Sequence, residues 1–189
     1  PRGPPRGPSA AGSSRPVPLR EVVASEAERL RTGIGELDRV LGGGVVPGML
    51  ALLGGDPGIG KSTLLLAALD LVARATPDRP VLYVSGEESA RQVKLRADRL
   101  GVGAPNLHVL AETDATRVLA AAAALAPAAL AVDSIQTQYL PELVSAPGTV
   151  SQIREVAARM IGVAKTTETP VFLVGHVTKD GSIAGPRVL

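Results

Sequence analysis

An uninterrupted phosphate-loop motif constrains this chain more than any other feature of its sequence. The motif matches the pattern G-x-x-x-x-G-K-[ST] at every defined position. It consists of Gly55, Asp56, Pro57, Gly58, Ile59, Gly60, Lys61 and Ser62, and Thr63 follows it. Its glycines allow backbone conformations in which successive N–H groups point at an anion. Lys61 adds a positive charge and Ser62 a hydroxyl group for Mg²⁺, so the motif predicts ATP or a related nucleoside triphosphate as the ligand.

The residues on both sides of the motif support this interpretation. The run Met49 to Leu53 before it reads as a buried strand, and Ser62 to Ala75 after it reads as a helix. In that helix Leu65, Leu69 and Val72 fall on one face. A helix that begins at the loop directs the positive end of its dipole at the phosphates. A glycine-rich turn that carries a lysine by chance is the alternative, and it requires neither the strand nor the helix.

The composition limits the class of protein. A chain of 189 residues is long enough for one α/β domain, and without cysteine it holds neither a disulfide nor a cysteine-based zinc site. Nothing in it resembles a signal peptide or a membrane-spanning run, so we expect a cytoplasmic protein without membrane contact. The only aromatic residues are Tyr83, Tyr139 and Phe172, which argues against a platform for stacking nucleic-acid bases.

The charge is distributed unevenly along the chain. Residues 1–20 hold four arginines and no acid, which leaves 16 basic and 18 acidic residues in the remainder, a charge of −2. We predict that residues 1–20, rich in Pro, Gly and Arg, form a disordered linker or a basic arm. Residues 21–189 are predicted to form the folded domain, whose near-neutral charge does not indicate a DNA-binding domain.

Apolar runs and amphipathic segments alternate through residues 21–189. The runs predict strands at 49–53, 81–84, 107–109, 128–132 and 171–174. The amphipathic segments predict helices at 32–41, 62–75, 89–100, 114–126 and 149–167. This alternation predicts an α/β fold with a mostly parallel sheet and helices on both faces.

Three finer expectations concern packing. In the first helix, Leu37, Val40 and Leu41 form an apolar face, and the glycines at 42–44 end the helix. His108 lies in mid-strand and is expected to be a packed side chain. The buried stripe of the last helix is expected to contain Val150, Ile153, Val156, Ala157, Met160 and Ile161.

Polar side chains follow the predicted strands and should lie at one edge of the sheet. Loops at the carboxyl ends of parallel strands gather at the same edge, so Gly55, Glu87, Asp133 and His176 should face one crevice. Asp133 is placed to hold Mg²⁺ through a water molecule, together with Ser62. The alternative is that Asp133 is an ordinary polar strand end.

Hydrolysis of the nucleotide also needs a group that orients and deprotonates a water molecule, and Glu87 or Glu88 fits that need. We favour Glu87, although both acids would also suit the first turn of the helix that follows. His176 is a candidate sensor of the γ-phosphate, or else a packed side chain. Lys179 and Arg187 are candidates for contact with DNA phosphates or with a neighbouring subunit's nucleotide.

With these residues in place, the chain resembles the ATPase core of the bacterial RadA (Sms) family of DNA-repair proteins, within the RecA-like P-loop group. The resemblance runs from about Pro16 to the last residue. It rests on five motifs in the family's order, at residues 32–44, 54–63, 83–89, 132–137 and 175–181.

The resemblance implies an ATP-driven hexamer that binds single-stranded DNA and drives branch migration, together with recombinase or other replication and repair proteins as partners. It aligns Glu87 with the catalytic carboxylate, and residues 134–148 and 177–186 with two DNA-facing loops. Family members also carry a four-cysteine zinc module, a Lys-Asn-Arg-Phe-Gly motif and a Lon-protease-like domain. These do not occur in this sequence, so we expect a truncated core with weakened hydrolysis and ring closure.

Two alternatives stay open. A RecA-like ATPase with a regulatory or clock-type role also carries paired acids, like Glu87 and Glu88, after a strand. A small-molecule kinase uses the same phosphate loop, but the sequence shows neither an arginine-rich lid nor an acceptor site. DNA-dependent ATP turnover would distinguish the first reading from both alternatives.

Overall fold

The computed structural model describes Pro16, residues 18–21 and residues 29–176. The proposed disordered arm at 1–20 therefore lies largely outside the described residues. The segment 177–186, with Lys179, and the following Arg187 lie outside them entirely.

Strands and helices alternate from residue 35 onward. The strands are β1 (Leu50–Gly55), β2 (Val81–Ser85), β3 (Leu107–Ala111), β4 (Leu130–Asp133) and β5 (Val171–His176). The helices are α1 (Gly35–Val40), α2 (Lys61–Ala75), α3 (Ala90–Leu100), α4 (Ala115–Leu125) and α5 (Val150–Thr167). Short 3-10 helices occupy Leu19–Glu21 and Ile135–Thr137. The predicted strands and helices are all present, and no end differs by more than three residues from its prediction.

The five strands form one parallel sheet in the order β1-β5-β4-β2-β3. Strands β2 and β4 are buried throughout, which agrees with their continuous apolar runs. Strand β3 is an edge strand and is partly exposed. His108 lies in it and is exposed, so the expectation of a packed side chain was wrong.

Helices cover both faces of the sheet, as the sequence predicted. Side chains of β2 alternate between the faces: Tyr83 joins a core with α2 and α3, and Val84 joins a core with α4 and α5. In the first core Leu65 and Leu69 of α2 are almost fully buried.

Side chains cap several of the helices. Ser89 and Gln92 form a capping box at the start of α3. Asp114 accepts a 2.8 Å hydrogen bond from the Thr116 amide at the start of α4, as predicted, and Thr149 caps α5.

Two packing expectations need correction. Helix α1 spans six residues rather than ten and buries none of them, and Val40 is 76% exposed. Asp38 instead accepts hydrogen bonds from the amide and hydroxyl groups of Thr32, which closes the chain into a turn before the helix. The glycines at 42–44 all have positive φ, and a Cβ on Gly44 would lie 2.9 Å from the Leu30 carbonyl oxygen, so glycine is required there.

In α5 the buried stripe is narrower than expected. Ile153, Val156 and Met160 are buried, but Val150 and Ile161 are exposed. Val150 lies in the first turn, and Ile161 is turned about 100° from Met160 around the helix axis, since a helix turns once in about 3.6 residues. Every helix within the described residues is too short or too polar to cross a membrane.

Candidate nucleotide-binding and catalytic site

The phosphate loop connects strand β1 to helix α2. Gly58 and Gly60 have φ values of 80° and 99°, and Gly60 is the N-cap residue of α2. No side chain caps this helix and its first turn contains no acid. Its first N–H groups therefore lack side-chain partners and carry the positive end of the helix dipole, which is the arrangement that binds phosphate.

Lys61 lies inside the loop and is 6% exposed. Its Nζ donates hydrogen bonds to the carbonyl oxygens of Gly55, at 2.8 Å, and Asp56, at 2.7 Å. The ammonium group thus bridges the start of the loop, while residues 56–60 are exposed to solvent. The loop keeps its shape around a buried positive charge and remains open to an anion.

The register of the sheet brings the predicted site residues to one edge. Gly55 is opposite His176 across β1 and β5, and Asp133 is opposite Ser85 across β4 and β2. Glu87 follows two residues after β2. These residues therefore lie at the same edge of the sheet, and their roles there stay predictions.

Glu87 lies between β4 and β5 at this edge. Ser134 Oγ donates a 2.8 Å hydrogen bond to Glu87 Oε1, and His176 Nε2 lies 3.5 Å from the same oxygen. The Glu87 side chain is 50% exposed, and its Oε2 accepts no hydrogen bond from the rest of the described chain. One carboxylate oxygen is thus held and the other is available.

Glu88 has different surroundings. Its Oε2 forms a 2.6 Å ion pair with Nη1 of Arg96 on α3, and its amide donates to Ser85 Oγ. The Glu88 carboxylate is therefore already paired with a cation. The sequence did not indicate which of the two acids would pair with an arginine; Glu88 does, and Glu87 instead contacts Ser134 and His176.

Asp133 is buried at the end of β4. Its Oδ2 accepts a hydrogen bond from the Tyr83 hydroxyl, and Arg96 Nη2 donates a 2.8 Å hydrogen bond to that hydroxyl. Burial and the neighbouring carboxylate of Asp133 both raise the pKa of Tyr83, so the hydroxyl keeps its proton. Sequence analysis assigned no role to Tyr83 or Arg96; the one signal was a single aromatic residue with a polar end in an aliphatic strand.

His176 ends strand β5 and is partly exposed. Its carbonyl oxygen accepts a 3.0 Å hydrogen bond from Gln136 Nε2. Its ring Nδ1 is buried and has no partner within residues 29–176. The backbone of His176 therefore contacts the 3-10 helix after β4, and its ring lies beside the carboxylate of Glu87.

The residues present fit Mg²⁺. Ser62 lies in the first turn of α2, and Asp133 offers a buried carboxylate whose Oδ1 makes no hydrogen bond with another described residue. Mg²⁺ commonly takes one or two protein oxygens and completes its shell with water and phosphate oxygens. Residues 29–176 contain no group of three or more His, Asp or Glu side chains that would hold a metal alone.

Five parallel strands with a phosphate loop between β1 and α2 define the RecA-like class of P-loop ATPase core. A crystal structure of a KaiC-like protein, PH0186 from Pyrococcus horikoshii OT3, has the same fold, with a TM-score of 0.65 and 20% identity. The match covers 80% of this chain and 73% of that chain.

The chain belongs to the family described as AAA domain, whose sequence model matches residues 14–182. It is 54% identical to the DNA repair protein RadA of Bacillus subtilis, over 93% of this chain and 38% of the relative. It is 50% identical to the DNA repair protein RadA of Pseudomonas aeruginosa, over 100% of this chain and 41% of the relative. The chain thus spans about two fifths of the length of the curated relatives it matches.

Proposed function

We propose that this chain binds and hydrolyses ATP with Mg²⁺ as the core of a DNA-dependent ATPase that acts in recombinational DNA repair. The observation that carries the ATPase part is the meeting of the phosphate loop, Glu87, Asp133 and His176 at one edge of the sheet. The DNA-repair part is supported by sequence identities of 54% and 50% to two proteins named DNA repair protein RadA.

In the proposed reaction the loop amides and Lys61 bind the phosphates. The Lys61 ammonium group has three N–H donors, and two of them now bind carbonyl oxygens of its own loop. Phosphate oxygens entering the loop would accept hydrogen bonds from this group and from the first amides of α2. The triphosphate would then be oriented by backbone groups that are already in place.

Ser62 and Asp133 would hold Mg²⁺, Ser62 through its hydroxyl group and Asp133 mostly through water. When bound, Mg²⁺ neutralises the charge that develops on the phosphate oxygens. Asp133 would contribute its Oδ1 atom, since Tyr83 occupies Oδ2.

Glu87 would orient the attacking water molecule and take its proton. Its Oε1 accepts the Ser134 hydroxyl, so the carboxylate has a defined orientation, and Oε2 is free to accept a hydrogen bond from water. A positioned base of this kind contributes about 10²- to 10⁴-fold to a rate. We assign the base role to Glu87 because Glu88 is paired with Arg96.

His176 would sense the γ-phosphate through its ring. It approaches Glu87 and leads directly into segment 177–186, so a change at the phosphate would reach that segment. The resemblance of its five motifs to the RadA (Sms) family is the basis for proposing that segments 134–148 and 177–186 face single-stranded DNA during branch migration. On the same basis we propose a homo-hexamer in the full-length protein, with recombinase or other repair proteins as partners.

The likeness to the KaiC-like protein is one of fold alone and does not favour a clock-type role. No contact within the described residues favours a small-molecule kinase either. We therefore propose a single function.

The test is ATP turnover of a full-length version of the protein, with and without single-stranded DNA, at several salt concentrations. DNA is expected to raise turnover, and the stimulation should fall with salt because phosphate contacts release counterions. If DNA changes neither turnover nor nucleotide affinity, the DNA-dependent function is wrong.

Lys61→Ala serves as the binding-deficient variant in this test. Loss of a charge-assisted hydrogen bond should weaken nucleotide affinity about 10- to 100-fold. Lys165→Ala is the matched control, because Lys165 is exposed on α5, which packs on the other face of the sheet. It should keep wild-type affinity; a loss equal to that of Lys61→Ala would mean that the assay does not report the phosphate loop.

A further inference from the structure

Four side chains form a continuous polar chain on the α2 and α3 side of the sheet. Glu88 pairs with Arg96 Nη1 at 2.6 Å, and Arg96 Nη2 donates to the Tyr83 hydroxyl at 2.8 Å. The Tyr83 hydroxyl in turn donates to Asp133 Oδ2. The chain therefore connects the acid that is not the proposed base to the acid proposed to hold Mg²⁺.

The direction of each hydrogen bond in this chain follows from its donors. Arg96 has N–H groups only, and a carboxylate has acceptors only. A tyrosine hydroxyl has one proton, so it must accept from Arg96 and donate to Asp133. The proton of Tyr83 is thus directed at one Asp133 oxygen and cannot turn elsewhere without leaving a buried polar group unsatisfied.

Packing holds the donor in place. Tyr83 is 0% exposed in the middle of β2, opposite Ala131, and Asp133 lies two residues further on the same face of β4. The Arg96 side chain is 15% exposed, and its guanidinium carbon lies 5.9 Å from the centre of the Tyr83 ring, within cation–π distance. Burial restricts the Tyr83 ring, and contacts with Glu88 and the Tyr83 hydroxyl restrict Arg96.

An aspartate side chain, in contrast, has little torsional preference of its own at its last bond, because χ2 of Asp has a broad distribution. A fixed donor at Oδ2 is what determines where Oδ1 points. Oδ1 is also the oxygen that makes no hydrogen bond with another described residue.

We propose that Tyr83 and Arg96 are positioning residues that orient the Asp133 carboxylate for Mg²⁺, and that Glu88 holds Arg96 in place. This inference rests on the proposed ATPase function. The paired acids then have separate tasks: Glu87 acts on water, and Glu88 acts through Arg96 and Tyr83 on the metal ligand.

The test separates metal binding from nucleotide binding. The affinity of the chain for adenylyl imidodiphosphate is measured by calorimetry, once with excess Mg²⁺ and once with EDTA. Tyr83→Phe keeps the ring and removes the hydroxyl, and it should lower the affinity in Mg²⁺ about tenfold, the size typical of groups that orient a metal ligand. The affinity in EDTA should stay within twofold of wild type.

Arg96→Gln tests the second proposed positioning residue. It is decisive if Tyr83→Phe does not fold, since Arg96 is less buried than Tyr83. It should reduce the Mg²⁺-dependent affinity in the same way, and Arg96→Lys should not restore it, because lysine lacks the planar fork that reaches two partners. Arg99→Gln is the matched control: Arg99 is exposed on the same helix and forms no ion pair with another described residue. It should behave as wild type.

The outcomes are distinguishable. If wild type gains no affinity from Mg²⁺, the proposed function and this inference both fail. If Mg²⁺ raises the nucleotide affinity of wild type, and raises that of Tyr83→Phe and Arg96→Gln by the same factor, only the positioning role is overturned. If a variant loses affinity equally in Mg²⁺ and EDTA, its role is structural, and the inference is overturned as well.

Discussion

Glu87 and Glu88 are adjacent in the chain, but their carboxylates make different contacts. Glu87 accepts the Ser134 hydroxyl and lies near His176, and Glu88 is paired with Arg96. Arg96 occupies Glu88 Oε2, whereas Glu87 Oε2 accepts no hydrogen bond within the described residues. The contacts therefore separate two residues that composition and position treat as equivalent.

We expect Glu87→Gln to bind ATP with near wild-type affinity and to lose turnover by about 10²- to 10⁴-fold, since the amide cannot take a proton. Single-turnover hydrolysis and nucleotide titration measure the two effects separately. Glu88→Gln makes the same change one residue further on and should retain at least about a tenth of wild-type turnover. Unchanged turnover in Glu87→Gln, with loss in Glu88→Gln, would move the base role to Glu88.

The loop that carries Glu87 packs directly on the 3-10 helix Ile135–Thr137. A Cβ built on Gly86 would overlap Thr137 Oγ1 and lie 2.7 Å from Thr137 Cβ. Thr137 cannot easily retreat, because its hydroxyl donates a 2.8 Å hydrogen bond to the Ser134 carbonyl oxygen. The position of Glu87 thus depends on close contact between two elements that are far apart in sequence.

Gly86→Ala should force these elements apart. We expect a loss of about 1–3 kcal/mol in the free energy of unfolding, the usual cost of overpacking, together with lower ATP turnover. Gly103→Ala is the matched control, since a Cβ there meets nothing within 4 Å. Chemical denaturation and turnover measure the two effects; equal behaviour of the two variants would contradict the packing argument.

Helix α2 is joined to the turn between α3 and β3 by Asp70. This buried carboxylate accepts hydrogen bonds from Arg74 and from the amides of Gly103 and Ala104. Burial acts to raise the pKa of Asp70, but these hydrogen bonds outweigh it, and the pKa lies below its usual value.

Because the native pKa of Asp70 is lowered, the unfolded chain binds more protons in the acid range. The stabilisation is complete above the unfolded pKa of about 4 and is lost as the pH falls through the lower native pKa. Thermal unfolding from pH 7 to pH 3 should show this loss, and Asp70→Asn should be less stable at pH 7 with a flatter pH dependence. Asp78→Asn, at an exposed position, should follow the wild-type curve. An Asp70→Asn curve parallel to wild type would contradict the assignment.

Within the described residues the sheet has two edge strands. Strand β1 precedes the phosphate loop, and β3 lies at the opposite edge of the sheet. The proposed site opens at the carboxyl edge of the sheet, where a neighbouring subunit and DNA would have access to it. In the proposed assembly, segments 134–148 and 177–186 of six subunits would face a common strand of DNA.

For a full-length version of the protein, we expect ATP and single-stranded DNA together to shift the mass from that of one copy toward that of six. Mass photometry or sedimentation, with and without each ligand, measures this change. Lys61→Ala should not assemble with ATP, whereas Lys165→Ala should. A mass that is unaffected by both ligands would contradict the hexamer.

Much of the fold could be read from contiguous residues. The phosphate loop is complete within eight residues, and its glycines and lysine act through the local backbone. The strands and helices follow from periods of two and 3.6 residues, and their alternation implies a parallel sheet. Even the meeting of Gly55, Asp133 and His176 follows from one rule about the carboxyl ends of parallel strands.

Contacts across the sheet could not be predicted from contiguous residues. Tyr83 and Asp133 are 50 residues apart, and Glu87 and Ser134 are 47 apart, so no local pattern records that they touch. His108 is exposed because the strand order puts β3 at an edge, and that order depends on the packing of the whole sheet.

The phosphate loop shows which properties the sequence determines and which depend on the tertiary structure. Its residues specify a site for phosphate because backbone amides, a helix terminus and a lysine suffice for that, and all are neighbours in the chain. The proposed choice of Glu87 over Glu88, and the proposed orientation of Asp133 by Tyr83, depend on which helix and strand lie beside each carboxylate. Those neighbours are assigned by three-dimensional packing, since a carboxylate's partners are set by distance in space and not by distance along the sequence.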